Sequence, residues 1–99
     1  MKIVFIIYHD VLDDRVTNLL QELSIDFYTE WENVKGKGHC TDPHLGTRTF
    51  PGFNNVRMIA VTEDETLDKL TSGITGLNEK IERPDDKIRL FQLPLERIL

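Results

Sequence analysis

Between positions 36 and 55 the chain gathers the residue types that bind ions and phosphates. His39, Cys40, Asp42 and His44 lie within six positions. Thiolate and imidazole are the usual ligands of zinc and copper, with carboxylate as a further type. The spacing of Cys40 and His44 lets a folded loop bring both to one ion. His39 is adjacent to Cys40, which makes chelation by all four awkward, and the pattern matches no standard zinc motif. His9 or a neighbouring subunit could complete the set. Just upstream, Gly36-Lys37-Gly38 could let backbone N–H groups approach a phosphate, with Lys35, Lys37 and Lys87 supplying charge. The same glycines equally suit a strand end that needs a permissive backbone.

Catalysis finds little here. Cys40 beside His39 or His44 could form a thiolate pair, yet no residue pattern supplies an oxyanion hole. Ser24 and Ser72 sit in helical contexts with no histidine at a readable spacing, and the carboxylates are spread over helical faces and turns. We therefore expect no enzyme.

The elements on either side must position this loop. Ile3 to Tyr8 is a continuous apolar run rich in β-branched residues and reads as a strand buried on both faces. Leu12, Val16, Leu19, Leu20 and Leu23 form one helical stripe ending near Ser24. Asp10 is its candidate N-cap, and Asp13 and Asp14 lie in the first turn. Phe27 to Val34 alternates, with Trp31 on a core or interface face, and reads as a second strand. The loop from Gly36 to Asn55 follows, with no regular structure expected through Gly52. Loops this long are uncommon in small domains unless they are functional or disordered. Phe50 and Phe53 are suited to pin it to the body.

Val56 to Val61 is a third strand. Leu67, Leu70, Ile74, Leu77 and Ile81 mark a second helix, with Thr62, Asp64 or Thr66 as caps. Gly73 and Gly76 interrupt it, either to allow close packing on the sheet or simply at the expense of helix stability. Arg83-Pro84-Asp85-Asp86 is a turn, and Ile88 to Leu93 is a fourth strand ended by Pro94.

The order β-α-β-β-α-β specifies an α+β, ferredoxin-like sandwich: a four-stranded antiparallel sheet with two helices on one face and a long loop between strands two and three. Ninety-nine residues make one domain, 1–99. The uncovered sheet face, carrying residues such as Phe5, Ile7 and Ile59, would be a large apolar patch, so we expect a homo-oligomer that buries it. A net charge of -5 argues against nonspecific binding to nucleic acid or anionic membrane. No stretch is long and apolar enough for membrane insertion. One cysteine permits no internal disulfide, and cytoplasmic is the default compartment.

Specific residues now add a resemblance. Met1-Lys2-Ile3, Glu32-Asn33-Val34-Lys35-Gly36-Lys37-Gly38 and Asp86-Lys87-Ile88-Arg89-Leu90 resemble the chain start, the end of strand two and the start of strand four of the PII signalling family. The resemblance spans nearly the whole chain. It implies a PII-like nitrogen-regulatory protein, a homotrimer whose intersubunit clefts bind ATP or ADP and whose T-loop, here residues 36–55, contacts a target protein. Gly36, Lys37, Gly38 and Lys87 would contact the nucleotide, with His39 and Arg89 beside them.

The chain also departs from the family's pattern. Arg83-Pro84-Asp85-Asp86 stands where a glycine-rich phosphate-binding turn is usual. Pro84 has no N–H to donate, and Asp85 and Asp86 would repel phosphate unless a metal or Arg83 compensated. His39-Cys40 stand where Arg-Gln is usual, the loop has no tyrosine to be uridylylated, and Arg97 is the only remnant of a basic C-terminal segment. A rival expectation is therefore a metal-responsive trimer, resembling the CutA cation-tolerance proteins or PII-like proteins tied to metal efflux, with His39, Cys40 and His44 as zinc or copper ligands. A third is a ligand-free adaptor that presents the loop.

Overall fold

In β1 (Lys2–His9) exposure alternates: Val4, Ile6 and Tyr8 are buried, while Ile3, Phe5, Ile7 and His9 on the other face are partly exposed. The structure is a computed structural model and describes residues 1–38, 43–47 and 52–99. A 3-10 turn (Asp10–Leu12) leads into α1 (Asp13–Glu22). Asp10 is not the cap of α1 that its type suggests. It opens the 3-10 turn, donating its N–H to the Phe53 carbonyl at 2.9 Å and accepting the Phe53 N–H on Oδ2 at 3.3 Å.

The far end of α1 closes by backbone geometry. Ile25 N–H reaches the Leu20 carbonyl at 2.8 Å and Ser24 N–H the Gln21 carbonyl at 3.0 Å. Ser24 takes the left-handed conformation this cap requires, at φ 57°.

β2 (Thr29–Val34) begins two residues later than its alternation predicts, β3 spans Asn54–Val61, α2 spans Asp64–Glu79, a second 3-10 turn covers Pro84–Asp86, and β4 spans Arg89–Pro94. Pro94 is thus the last residue of β4 and pairs with Lys2. Ile81 lies beyond the end of α2 but still packs on the core. The sheet order is β2-β3-β1-β4, antiparallel throughout, with both helices on one face: the ferredoxin-like arrangement.

Register decides which side chains the helices cover. Beside Val4, Ile6 and Tyr8 of β1, the β3 contribution is Asn55, Arg57, Ile59 and Val61, all buried. Ile59 therefore belongs to the core and not to the open face where the sequence placed it. The open face carries Ile3, Phe5 and Ile7 with their cross-strand neighbours Leu93, Phe91, Val56 and Met58. Phe91 and Leu93 are about half exposed, at 51% and 48%. Trp31, opposite Val56 and 45% exposed, extends this patch.

Between Trp31 and Val34 the register shifts, and Asn33 sits at φ 58°. The extra residue is a bulge, which reverses the alternation and brings Val34 onto the open face with Trp31.

The two helical glycines play different parts. A Cβ on Gly73 would meet Leu19 Cδ1 at 2.5 Å, so that glycine lets α1 and α2 approach. A Cβ on Gly76 would meet nothing within 4 Å. The close packing expected on the sheet is found instead on the other helix, at Gly73, while nothing approaches Gly76, where only the helix penalty remains.

Arg57 is the unexpected member of the core, 2% exposed. Its Nη2 donates to Asp13 Oδ1 at 3.1 Å and to Thr17 Oγ1 at 2.7 Å. Its Nε faces Glu30 Oε2 at 3.4 Å, and the Tyr28 ring lies 4.6 Å from its guanidinium carbon. Tyr8 O–H and Asn55 Nδ2 also donate to Asp13 Oδ1, at 2.7 and 3.2 Å. Burial pushes the Asp13 carboxyl up, but these donors and the Arg57 charge outweigh it and hold its pKa below the ordinary value. At Glu30 burial wins over the Arg57 charge, and its pKa is raised. Burial and the bond to Asp13 raise Tyr8 as well.

Candidate functional site

In this antiparallel order the ends of β1 and β2 and the starts of β3 and β4 meet at one edge of the sheet. That edge holds a cleft of about 390 Å³, within the usual range for small-molecule sites. Its floor is the end of the open face: Ile7, Val34, Val56 and Phe91. The bulge at Asn33 is what turns Val34 into that floor.

Five of the six nucleotide-contact residues expected from the sequence line this cleft: Gly36, Lys37, Gly38, Lys87 and Arg89. The sixth, His39, lies outside the described residues. Lys35 joins them, so four basic side chains surround one concavity in a chain of net charge -5. They come from two segments, one leaving β2 and one entering β4. Neither helix N-terminus takes part.

The segment entering β4 is held from behind. Asn78 on α2 accepts the Ile88 N–H at 2.7 Å and donates to the Ile88 carbonyl at 2.9 Å. This two-way clasp fixes Lys87 and Arg89 relative to the sheet. Asp85 and Pro84 form part of the cleft wall. Arg83 does compensate the acidic turn: its Nη2 lies 3.6 Å from Asp85 Oδ2 and its Nε 4.0 Å from Asp86 Oδ2.

The loop is tied to the cleft by short backbone bridges. Gly36 and His44 exchange both hydrogen bonds, Gly36 N–H to His44 carbonyl at 3.0 Å and His44 N–H to Gly36 carbonyl at 2.7 Å. This small bridge falls inside a stretch where the sequence predicts no regular structure. It also means that the Gly36 N–H, which the Gly-x-Gly pattern offered to a phosphate, is bonded to the His44 carbonyl in this structure. Gly46 N–H bonds the Gly52 carbonyl at 2.8 Å, and the Phe53 ring fills the space beside Gly46. The Phe53 ring thus packs within the loop, and the Phe53 backbone, through its bonds with Asp10, ties the loop to the body; Phe50 lies outside the described residues.

His44 packs against His9 at the cleft wall, ring centroids 4.5 Å apart and tilted by 45°. His44 Nε2 lies 4.0 Å from Asp86 Oδ1, and His9 Nε2 lies 3.6 Å from Asp10 Oδ1. Of the expected metal ligands His39, Cys40 and His44, only His44 is among the described residues. Among those residues no group of three or more His, Cys, Asp or Glu side chains is placed to hold an ion. No helix among them is long and apolar enough to cross a membrane.

Sequence reasoning missed the Asn78 clasp and the inward turn of Arg57. An asparagine near the end of a helix, and an arginine breaking an apolar strand, were the available signals.

A family model described as Nitrogen regulatory protein P-II matches residues 1–98. No curated protein matches the chain. Among solved structures, CPII, a nitrogen regulatory PII-like protein from Thiomonas intermedia K12, is similar in fold. Its form bound to ADP and bicarbonate is 21% identical over 97% of this chain and 88% of that one, with a TM-score of 0.65. Its form bound to ADP, AMP and bicarbonate is 19% identical over 99% and 94%, with a TM-score of 0.61. Its apo form is 18% identical over 98% and 92%, with a TM-score of 0.64. At these identities the likeness is one of fold.

Proposed function

The chain belongs to the nitrogen regulatory protein P-II family, and from that membership we propose that it is a regulator, with residues 1–99 acting as one domain, that binds an adenine nucleotide in the cleft at the loop base. The observation that carries the reading is the cleft's composition. Lys35, Lys37, Lys87 and Arg89 surround it, while Ile7, Val56 and Phe91 form its floor. A nucleotide needs both: cations for phosphate and an apolar surface for a flat base. The ADP and AMP bound to CPII favour the same ligand class.

The protein acts by binding, not by catalysis, and signals through the segment 36–55. The cleft's floor runs on into the open apolar face, so a ligand there touches the surface a second copy would cover. A homotrimer buries Phe5, Phe91, Leu93 and Trp31 and completes each cleft from a neighbouring subunit. Loop 36–55 then contacts a target protein, its first part, between Gly36 and His44, closed at the base by their bridge.

The test is a thermal-shift panel on metal-stripped protein with AMP, ADP and ATP, repeated on Lys87→Ala. A ligand at a hundred times its Kd stabilises by about 2.7 kcal/mol. The reading requires a rise in melting temperature with at least one adenine nucleotide, lost or strongly reduced in Lys87→Ala. No rise with any nucleotide would sink it.

A further inference from the structure

Resting on the nucleotide reading above, we infer that Asn78, a residue of α2 that lies outside the cleft, is a positioning residue for phosphate: it holds Lys87 in place and so sets the cleft's affinity for phosphate-bearing ligands.

Lys87 stands where the sheet no longer holds the chain. The ladder between β1 and β4 ends at Ile7 and Arg89, so Lys87 lies beyond the last pair. Residues 82–84 before it are exposed, and the Lys87 N–H reaches the Pro84 carbonyl at 3.3 Å, a long bond. What fixes this end is the residue between the two cations. The Ile88 side chain is 3% exposed and packs in the core. Both its backbone groups are taken by the Asn78 amide: the N–H donates to Oδ1 at 2.7 Å, and the carbonyl accepts from Nδ2 at 2.9 Å. A side-chain amide carries donor and acceptor as a peptide group does, so Asn78 serves as one more rung past the end of the ladder.

The clasp also decides which way Lys87 faces. Lys87 is extended, at φ -67° and ψ 142°, and side chains along an extended chain alternate between faces. With Ile88 held inward, Lys87 and Arg89 fall on the opposite face, and both line the cleft.

The asparagine comes from the last turn of α2, where its own carbonyl accepts the Ile81 N–H at 3.1 Å. Asparagine is a poorer helix former than alanine, so helix stability does not account for it. Without the amide, the backbone at Lys87 must be ordered when the ligand binds. Fixing one residue's backbone costs about tenfold in affinity. Lys35, Lys37 and Arg89 remain, so binding is weakened and not abolished.

The experiment is isothermal titration of the whole protein, at a temperature where every variant is folded. The ligands are adenosine and whichever of AMP, ADP and ATP wild type binds most tightly. Asn78→Ala removes the amide and improves helix propensity; Asn78→Leu removes it at similar volume. Gly73→Ala, which strains the α1–α2 contact away from the clasp, is the control for lost stability. Both Asn78 variants are expected to lose about tenfold in nucleotide affinity. Adenosine, with no phosphate for Lys87, is expected to bind them as it binds wild type, however weakly. Gly73→Ala is expected to bind the nucleotide as wild type does. Unchanged nucleotide affinity in the Asn78 variants, an equal loss for adenosine, or the same loss in Gly73→Ala overturns the inference and leaves the nucleotide reading standing. Failure of all three nucleotides to bind wild type overturns both.

Discussion

Replacing Arg57 by alanine is the most demanding test of how this core is held together. Arg57 is 2% exposed and sits between Asp13, at 3.1 Å, and Glu30, at 3.4 Å. Removing one partner from a buried ion cluster costs about 3–5 kcal/mol, because the remaining charges lose their compensation. The Asp13 side chain is 37% exposed and that of Glu30 21%, so water can resolvate both and the electrostatic part is discounted to about 2 kcal/mol. The buried stem of the arginine, whose guanidinium lies over the Tyr28 ring, adds about 1 kcal/mol when truncated. The expected loss is therefore about 3 kcal/mol, against a total of about 5–15 for a native domain.

Urea denaturation at fixed protomer concentration reads this directly. With m about 1.5 kcal/mol/M, the midpoint falls by about 2 M. The two carboxylates are expected to respond unequally. Glu30→Gln costs little, since burial already disfavours its charged form. Asp13→Asn costs more, since Tyr8, Asn55 and Arg57 all favour the Asp13 carboxylate. A loss below about 1 kcal/mol for Arg57→Ala, or Glu30→Gln costing as much as Asp13→Asn, would refute the reasoning.

Three further outcomes are expected. Gly76→Ala should stabilise by about 1 kcal/mol, as alanine is the better helix former and meets open space, whereas Gly73→Ala should destabilise by forcing Leu19 aside; melting curves distinguish them. Asp13, with its pKa held down, binds fewer protons folded than unfolded, so its contribution is present above the unfolded value and lost as pH falls through the folded one. Glu30, with its pKa raised, contributes in the opposite sense, so in acid titrations of stability Asp13→Asn should flatten the loss and Glu30→Gln should steepen it. Phe91→Glu, which puts a charge in the middle of the open apolar face, should shift the protein toward monomer in sedimentation velocity; unchanged association would exclude that face as the contact.

The element order was legible because the helices announce themselves. Leu67, Leu70 and Ile74 repeat at helical spacing and are buried as that spacing requires. The faces of β1 and β3 were not legible. When both sides of a strand are apolar, period two carries no contrast, and only cross-strand register puts Ile59 inside and Val56 outside. Arg57 breaks an apolar run, which by itself does not tell its face; its cross-strand partner Glu30 and the neighbouring Asp13 make an inward charge tolerable.

The cleft was legible for a different reason. The resemblance located the end of β2 and the start of β4, and antiparallel order brings these together whatever the side chains between them. What stayed hidden were facts of backbone pairing. The bulge that turns Val34 and the bridge that occupies the Gly36 N–H are set by tertiary context, and Gly-x-Gly in a sequence does not say whether its donors are already engaged.

That bridge has a consequence for how the protein can change. Gly36 and His44 form a neck: their paired backbones close the segment between them at its base. A graft between Gly38 and Pro43, whether of a different peptide or a longer one, would hang from the neck without pulling on β2 or β3. The entropic penalty for lengthening such a closed segment grows only slowly, by about 0.6 kcal/mol per doubling. The tip and the cleft can therefore diverge separately, so that one body can be refitted with a new recognition peptide while its small-molecule preference is left alone.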